Sequence, residues 1–405
     1  MKAAIDSVDE GDGYQRHIPA HYKEQIGIIA EALENALTQN DLTVFYRAFR
    51  STDLPFIGTH YQQDAYGLFV VCFEVLHRLG SISPATALAV ENHYYVSSAI
   101  ATFPTADYPK LHNSRQALLA SIINDRLLVA NTNSKIHSNK LGEMGTCARL
   151  EGEAFRITGK AAYTSLATQG DLLVFITQIE GEGPALFAIT PMQENPCVEI
   201  GPYLFPSAMI DSDTRQIIFH DLLVPKDKLI AGGKDAQVGS LINFEMAWHQ
   251  ILIPALYLGA AARAIEEVRK FLRATRGREG QPLAELDGMI IDVGRIALDY
   301  QSACCVVHQA GQALGEVKQL PKDAKLLERA VDLASAAKYT GTRCAESIVT
   351  AARRIIGARA FVGDHPLERL SQEVMFASLG PEVSAVIERR YGRQVLDDHS
   401  FLDGR

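Results

Sequence analysis

The chain lacks most of the spacings that mark familiar chemistry. Its six cysteines are scattered through 405 residues, with Cys304 and Cys305 adjacent and none in a Cys-x-x-Cys pair or beside a His box. That excludes a zinc finger or disulfide scaffold and predicts a reduced, cytoplasmic protein without a metal site. There is no Gly-x-Gly-x-x-Gly on a strand-to-helix turn, no Gly-x-x-x-x-Gly-Lys-Ser loop and no Gly-x-Ser-x-Gly elbow. A nicotinamide Rossmann enzyme, a P-loop NTPase and a serine hydrolase of the α/β type are therefore disfavoured. No run reaches the roughly 18 apolar residues of a membrane span; Ile251 to Ala262, one of the longest, is broken by Pro254. The N-terminal MKAAIDSVDEGDGYQRH has no apolar core, so no signal peptide is expected. Basic residues are outnumbered, 39 Lys and Arg against 48 Asp and Glu, for a net charge of −9. That argues against nucleic acid or anionic membrane as a partner, with one local basic patch from Arg269 to Arg278.

What is present is a three-part order, which at this length suits two or three domains. Residues 1–120 read as helical: Gln25 to Leu37 and Tyr66 to Leu79 space their apolar residues by three and four, and Ser83-Pro opens a capped helix. Residues 121–235 read as short strands, at Leu127-Leu-Val-Ala, Ala154-Phe-Arg-Ile-Thr, Leu172 to Thr177, Ala185 to Thr190 and Arg215 to Phe219. No ten-residue helical pattern separates most of them, which predicts an antiparallel barrel or sandwich. Residues 236–405 return to long amphipathic stretches, Gly259 to Arg276, Leu286 to Ala313, Asp323 to Ile356 and Glu382 to Leu396, suiting a four-helix bundle.

Four segments stand out. Ile355-Ile-Gly-Ala-Arg-Ala-Phe-Val-Gly-Asp-His-Pro-Leu-Glu-Arg369 joins a helix end to a turn, an aromatic residue and Pro-x-Glu-Arg. Arg276-Gly-Arg-Glu-Gly-Gln-Pro-Leu links two helical stretches, Ile157-Thr-Gly-Lys-Ala-Ala-Tyr-Thr-Ser165 follows a strand, and Val129-Ala-Asn-Thr-Asn-Ser134 is a polar run. Each also has a plain structural reading: a left-handed helix cap at Gly357, a surface Arg between helices, a hairpin strand and a polar turn.

With the helix–β–helix order, these segments resemble the acyl-CoA dehydrogenase family over roughly residues 25 to 400. The resemblance implies an α+β multi-domain fold, with an N-terminal helical domain, a central antiparallel β-barrel or sandwich and a C-terminal four-helix bundle. It also implies a homotetramer with FAD between the β domain and bundle helices of two subunits. In the family's pattern Arg276 pairs with the diphosphate of a neighbour's FAD, where a guanidinium fork fits phosphate oxygens. Arg354 stands where a Gln is common, and Gly357 keeps the first glycine of a turn that approaches the same FAD. Thr164 takes the hydroxyl place near the flavin ring. Ala162 replaces a usual Trp or Phe, which Tyr163 can compensate. Asn131, Thr132 and Ser134 supply the polar atoms of the loop that touches flavin and thioester, although Lys135-Ile-His-Ser-Asn replaces the usual Gly-Ser-Asp end.

The catalytic Glu of the family is missing. Its slot falls on Ser378 or Leu379 in Phe376-Ala-Ser-Leu-Gly-Pro-Glu-Val383, and Glu382 suits the opening of the last helix instead. Some members carry the base on the first bundle helix, and that position is His249, with Glu245 one turn earlier to orient it; the plain alternative is a His without chemical role. Three functions follow. The first is FAD-dependent dehydrogenation of a small or unusual acyl thioester, on CoA or on an acyl or peptidyl carrier protein, with an electron-transfer protein as acceptor. The second is a flavin monooxygenase of the same fold, fed by a flavin reductase and O2, using His249, Thr164 and Ser165. The third is a non-catalytic subunit.

Overall fold

The computed structural model describes residues 18–132, 144–233, 237–380 and 382–397. Five helices come first: α1 (Ala20–Gln39), α2 (Thr43–Ser51), α3 (Ala65–Gly80), α4 (Pro84–Thr102) and α5 (Pro109–Asn124). Eight strands follow: β1 (Val129–Thr132), β2 (Thr146–Glu151), β3 (Ala154–Thr164), β4 (Leu172–Ile179), β5 (Gly183–Ile189), β6 (Val198–Tyr203), β7 (Arg215–Pro225) and β8 (Leu229–Gly232). The chain ends in α6 (Gln237–Ala274), α7 (Asp287–Gly315), α8 (Ala324–Ile356), α9 (Pro366–Val374) and α10 (Ser384–Asp397).

The helix starts follow local chemistry. Asp64 accepts the Gly67 N–H at the head of α3, and Ser83 accepts the Thr86 N–H at the head of α4, where Pro84 needs no N–H partner. Almost every side chain of α4 is buried, so this helix runs through the interior and not along a surface. α6 begins well before the expected Gly259, because the Phe244 to Pro254 run is itself helical and Pro254 lies inside the helix. Gly341 of α8 makes room for it: a Cβ there would sit 2.5 Å from the Pro254 Cβ.

The sheet order is β6-β7-β3-β2-β4-β5-β8, with β1 added on β4. It is mixed where the sequence suggested purely antiparallel pairing: β1 and β2 both lie parallel to β4. The β2–β3 hairpin intervenes in the chain between β1 and β4, which gives β1 room to run beside β4 in the same sense. β4 is buried along nearly its whole length, as a central strand covered on both faces must be. One face holds the rings of Phe155, Phe175, Phe187 and Phe219, packed at 4.8–5.8 Å. From the other, Leu172, Val174 and Ile176 join the large core shared with the helices. Among the described residues no helix is long and apolar enough to cross a membrane.

Candidate active site

β1 meets α4 and α6 at a buried polar junction. The Asn131 N–H donates to Asn92 Oδ1 (2.8 Å), Asn131 Oδ1 accepts from Tyr95 OH (2.5 Å), and Asn131 Nδ2 donates to Glu245 Oε1 (3.0 Å). One turn further along α6, His249 Nδ1 lies 2.9 Å from Glu91 Oε1. The Tyr95 ring meets the His249 imidazole at 4.9 Å and 62°. Glu91 is completely buried, and its Oε2 has no hydrogen-bond partner. Burial pushes the Glu91 carboxyl above its ordinary range, against the opposing pull of His249. Glu245, expected to orient His249, accepts the Asn131 amide; the carboxylate bonded to Nδ1 is Glu91, from a different helix. Neither Glu91 nor Tyr95 was legible as a site residue, because a Glu in mid-helix normally faces water.

The β side adds a second polar edge. Thr132 Oγ1 donates to the Ala162 carbonyl (3.3 Å), and two residues on the fully buried Thr164 hydroxyl has no partner. Ser165 Oγ pairs with Thr214 Oγ1 at 2.9 Å. The β3–β7 register slips between Ala161 and Thr164. Such a bulge re-aims side chains: Ala162 and Thr164 are buried while Tyr163, at φ +59°, is 40% exposed. Tyr163 stacks on Phe205 (5.7 Å), which meets Phe376 edge-on at 5.1 Å.

At the turn after α9, the Ser378 N–H donates to Glu346 Oε1 (3.0 Å), and its carbonyl accepts from Lys338 Nζ (3.4 Å) and Ser384 Oγ (3.3 Å). Lys338 is completely buried, which pulls its pKa down to about 8. A cavity of about 220 Å³ between α8 and α9 is lined by Glu346, Thr350, Arg353, Ser371, Met375 and Ser378. Leu379 points outward, 62% exposed. Glu382 is held by Arg390 at 3.0 Å, two residues before α10 begins. Neither Ser378 nor Leu379, where the sequence placed the missing Glu, can serve as a carboxylate base.

Arg276, Arg354 and Gly357 are each solvent-facing, away from this junction. Arg276 sits in a tight link that bridges to Pro282, its Nη1 3.5 Å from the Gly280 carbonyl. Gly357 caps α8 at φ +72° and ψ −150°, a conformation that favours glycine. The Arg359 guanidinium lies 5.5 Å from the Phe271 ring and so draws the end of α8 to the end of α6. Ser134 lies outside the described residues.

Glu373 anchors α4 to α9. Its Oε2 accepts from Ser83 Oγ (3.0 Å) and the Ala85 N–H (2.8 Å), and its Oε1 lies 3.5 Å from Arg369, which also bonds Asp211 at 2.8 Å. Burial raises its pKa from 4.5 to about 7, over the opposing effects of the Ala85 N–H, Arg369 and Ser83. The folded state therefore holds this proton more tightly than the unfolded chain. Stability contributed by the protonated form is present below pH 4.5 and is lost as pH rises through about 7. Glu373→Gln should remove that fall, at most about 1.4 kcal/mol per pH unit. Urea midpoints at pH 5 and pH 7 check it: an equal pH dependence in both proteins would show that Glu373 does not titrate there.

The fold defines a class, α+β proteins with helices on either side of a β unit. The profile described as "Acyl-CoA dehydrogenase, C-terminal domain" matches residues 240–383. Butyryl-CoA dehydrogenase from Megasphaera elsdenii shares the fold, at TM-score 0.74 and 13% identity, covering 94% of this chain and 99% of that one. The chain is 22% identical over 249 residues to 3-(aryl)acrylate reductase of Clostridium sporogenes, covering 60% of this chain and 62% of that protein. It is also 22% identical to isobutylamine N-hydroxylase of Streptomyces viridifaciens, covering 73% and 74%. Other relatives at similar identity are acyl-CoA dehydrogenases. Residues 240–383 thus match an acyl-CoA dehydrogenase C-terminal domain, and the chain as a whole is similar to acyl-CoA dehydrogenases.

Proposed function

We propose that this chain is an FAD-dependent oxidoreductase that dehydrogenates a small or unusual acyl group carried as a thioester on CoA or on a carrier protein. The observation that carries this reading is the buried His249–Glu91 pair beside Asn131, where α4, α6 and β1 converge. The residues present fit a flavin. The Thr164 hydroxyl is buried and unsatisfied, the neighbouring Ala161 and Ala162 are small, and Arg276 and Arg354 are exposed fork-shaped cations suited to a diphosphate on a neighbouring copy. When bound, FAD supplies the acceptor for the β-hydrogen and its electron pair. His249 takes the α-proton and becomes an imidazolium beside the Glu91 carboxylate. Asn131 and Tyr95 hold the helices that carry this pair in register.

We read the helix–β–helix order as three units, at 1–120, 121–235 and 236–405, and propose a cytoplasmic homotetramer. On α7, Ile290, Ile291 and Leu298 are 53%, 61% and 69% exposed, an apolar strip that a second copy would cover. An electron-transfer protein would reoxidise the flavin.

Anaerobic titration of the yellow, FAD-loaded protein with CoA and carrier-protein thioesters tests the reading. Bleaching by a thioester is the expected result; no bleaching by any thioester in the panel would overturn it. The absence of a Glu at Ser378 and Leu379 themselves favours a second reading, hydroxylation of an amine or similar nucleophile with reduced flavin and O2. It predicts oxygen uptake that needs both a flavin reductase and the nucleophile. A protein that takes up neither oxidised nor reduced flavin would instead be a non-catalytic subunit.

A further inference from the structure

We propose that Glu91 is the positioning residue for proton transfer at His249. Its carboxylate holds the imidazole in the Nδ1–H form, which leaves the Nε2 lone pair as the proton acceptor. The proposal rests on the reading of His249 given above.

A comparison of buried carboxylates within the molecule carries the argument. Glu373 behaves as a structural acid: Oε2 takes two donors, Oε1 faces Arg369, and the group caps a helix. Glu91 differs on each count. It sits seven residues beyond the first residue of α4, outside the first turn where the helix dipole favours an acid. Among the described residues no Lys or Arg is seen to act on it; His249 opposes its burial both as a charge and as a hydrogen-bond partner. Its second oxygen is buried without a partner. Leaving a buried acceptor unmade costs roughly 1–3 kcal/mol, so a purely structural side chain here would serve better as an amide or an aliphatic. What a carboxylate adds is a full charge against an imidazole that alternates between neutral and cationic forms.

The other titratable groups nearby do not provide that charge. On α6, Glu245 is engaged with Asn131, and Tyr257 feels Glu91 without bonding to it. On α4 itself, Tyr95 donates to Asn131, and burial drives its pKa up so that it stays neutral. His93 is turned to the Pro55 carbonyl and the Val129 N–H. From α9, Glu373 bonds the head of α4 while Arg369 is held by Asp211 and Glu373, and from α3, Cys72 meets Ser98. In the step itself a proton leaves the substrate for Nε2, the Nδ1 proton stays between Nδ1 and Oε1, and no electrons pass through the pair.

The test uses Glu91→Gln, which keeps the shape and removes the charge, together with His249→Asn and the double variant. In the FAD-loaded enzyme, E91Q should lower kcat by about 100-fold or more with KM little changed. The acid limb of the kcat/KM profile should move to lower pH, because the imidazolium has lost its counter-charge. The double variant should be no slower than His249→Asn alone. A second readout needs no turnover. In flavin-free protein with 15N-labelled histidine, the His249 signal (the one absent from His249→Asn) should show Nδ1–H in wild type and a mixed or reversed tautomer in E91Q. An unchanged pH profile and tautomer in E91Q would overturn the proposal. If His249→Asn kept full activity while E91Q still changed the 15N signal, the functional reading would fall and the Glu91–His249 pairing would stand. Should E91Q not accumulate as folded protein, Glu91→Asp keeps the charge and must keep the wild-type acid limb; a shifted limb there would also count against the proposal.

Discussion

Gly259→Ala is expected to destabilise the protein by more than about 3 kcal/mol, although helix propensity alone predicts the opposite sign. Gly259 lies deep in α6, where replacing glycine by alanine ordinarily gains about 1 kcal/mol. A Cβ at this position would fall 2.0 Å from the His77 carbonyl oxygen and 2.9 Å from the Ser81 nitrogen of the α3 end. The contact is mutual: a Cβ on Gly80 would fall 2.0 Å from the Leu256 carbonyl. The two glycines let the backbones of α3 and α6 touch, so the obstacle is main chain and cannot rotate aside. Relief requires the helices to separate, which opens the core around Leu76, Leu79 and Leu256, each fully buried. Gly27→Ala is the control, since it lies in α1 with nothing within 4 Å of a Cβ, and it should be neutral or stabilising. Urea midpoints measure both; a Gly259→Ala midpoint at or above wild type would show that the crossing tolerates a methyl group.

The same glycines show where sequence reading stops. The start of α4 was legible because a cap acts within four residues: Ser83 and Pro84 announce their helix whatever surrounds it. β4 was legible because a strand buried on both faces must be apolar throughout. The parallel pairing of β1 and β2 on β4 was not legible, since it depends on how the intervening chain is laid out and not on residue type. His249 could be located by its place in a family pattern. Its partner could not, because Glu91 lies 158 positions away in sequence on a helix whose enclosure arises only from packing against α3, α6 and β1. The i−4 rule pointed to Glu245, and the tertiary contact of that carboxylate with Asn131 gave it other work. Tyr163 illustrates a third limit: one extra residue in β3 turned it outward onto Phe205. No periodicity forecasts a bulge at a residue with positive φ.

His249→Ala is expected to abolish turnover, by a factor of about 100 to 10,000 if the imidazole is the proton acceptor, and to leave a stability signature that sets it apart from an ordinary core lesion. Truncation removes the group that, among the described residues, offsets the burial of Glu91. Breaking a buried pair from one side is far costlier than removing both partners, about 3–5 kcal/mol when the survivor keeps its charge. Glu91 can escape that cost by taking up a proton, and burial already pushes its carboxyl in that direction. In the variant the folded-state pKa of Glu91 therefore lies further above the unfolded value than in wild type. By linkage, the stability held by its protonated form is present at low pH and lost as pH rises through the folded pKa. The gap between wild type and His249→Ala should accordingly be small at pH 5 and wide at pH 8, and Glu91→Gln added to His249→Ala should close it at pH 8. Turnover of the single variant stays low at every pH, because protonating Glu91 restores no acceptor. Denaturation midpoints across that range, beside flavin-bleaching rates, separate the two effects: undiminished bleaching would remove His249 from the chemistry, and a pH-independent stability gap would mean that Glu91 carries no charge in the folded protein.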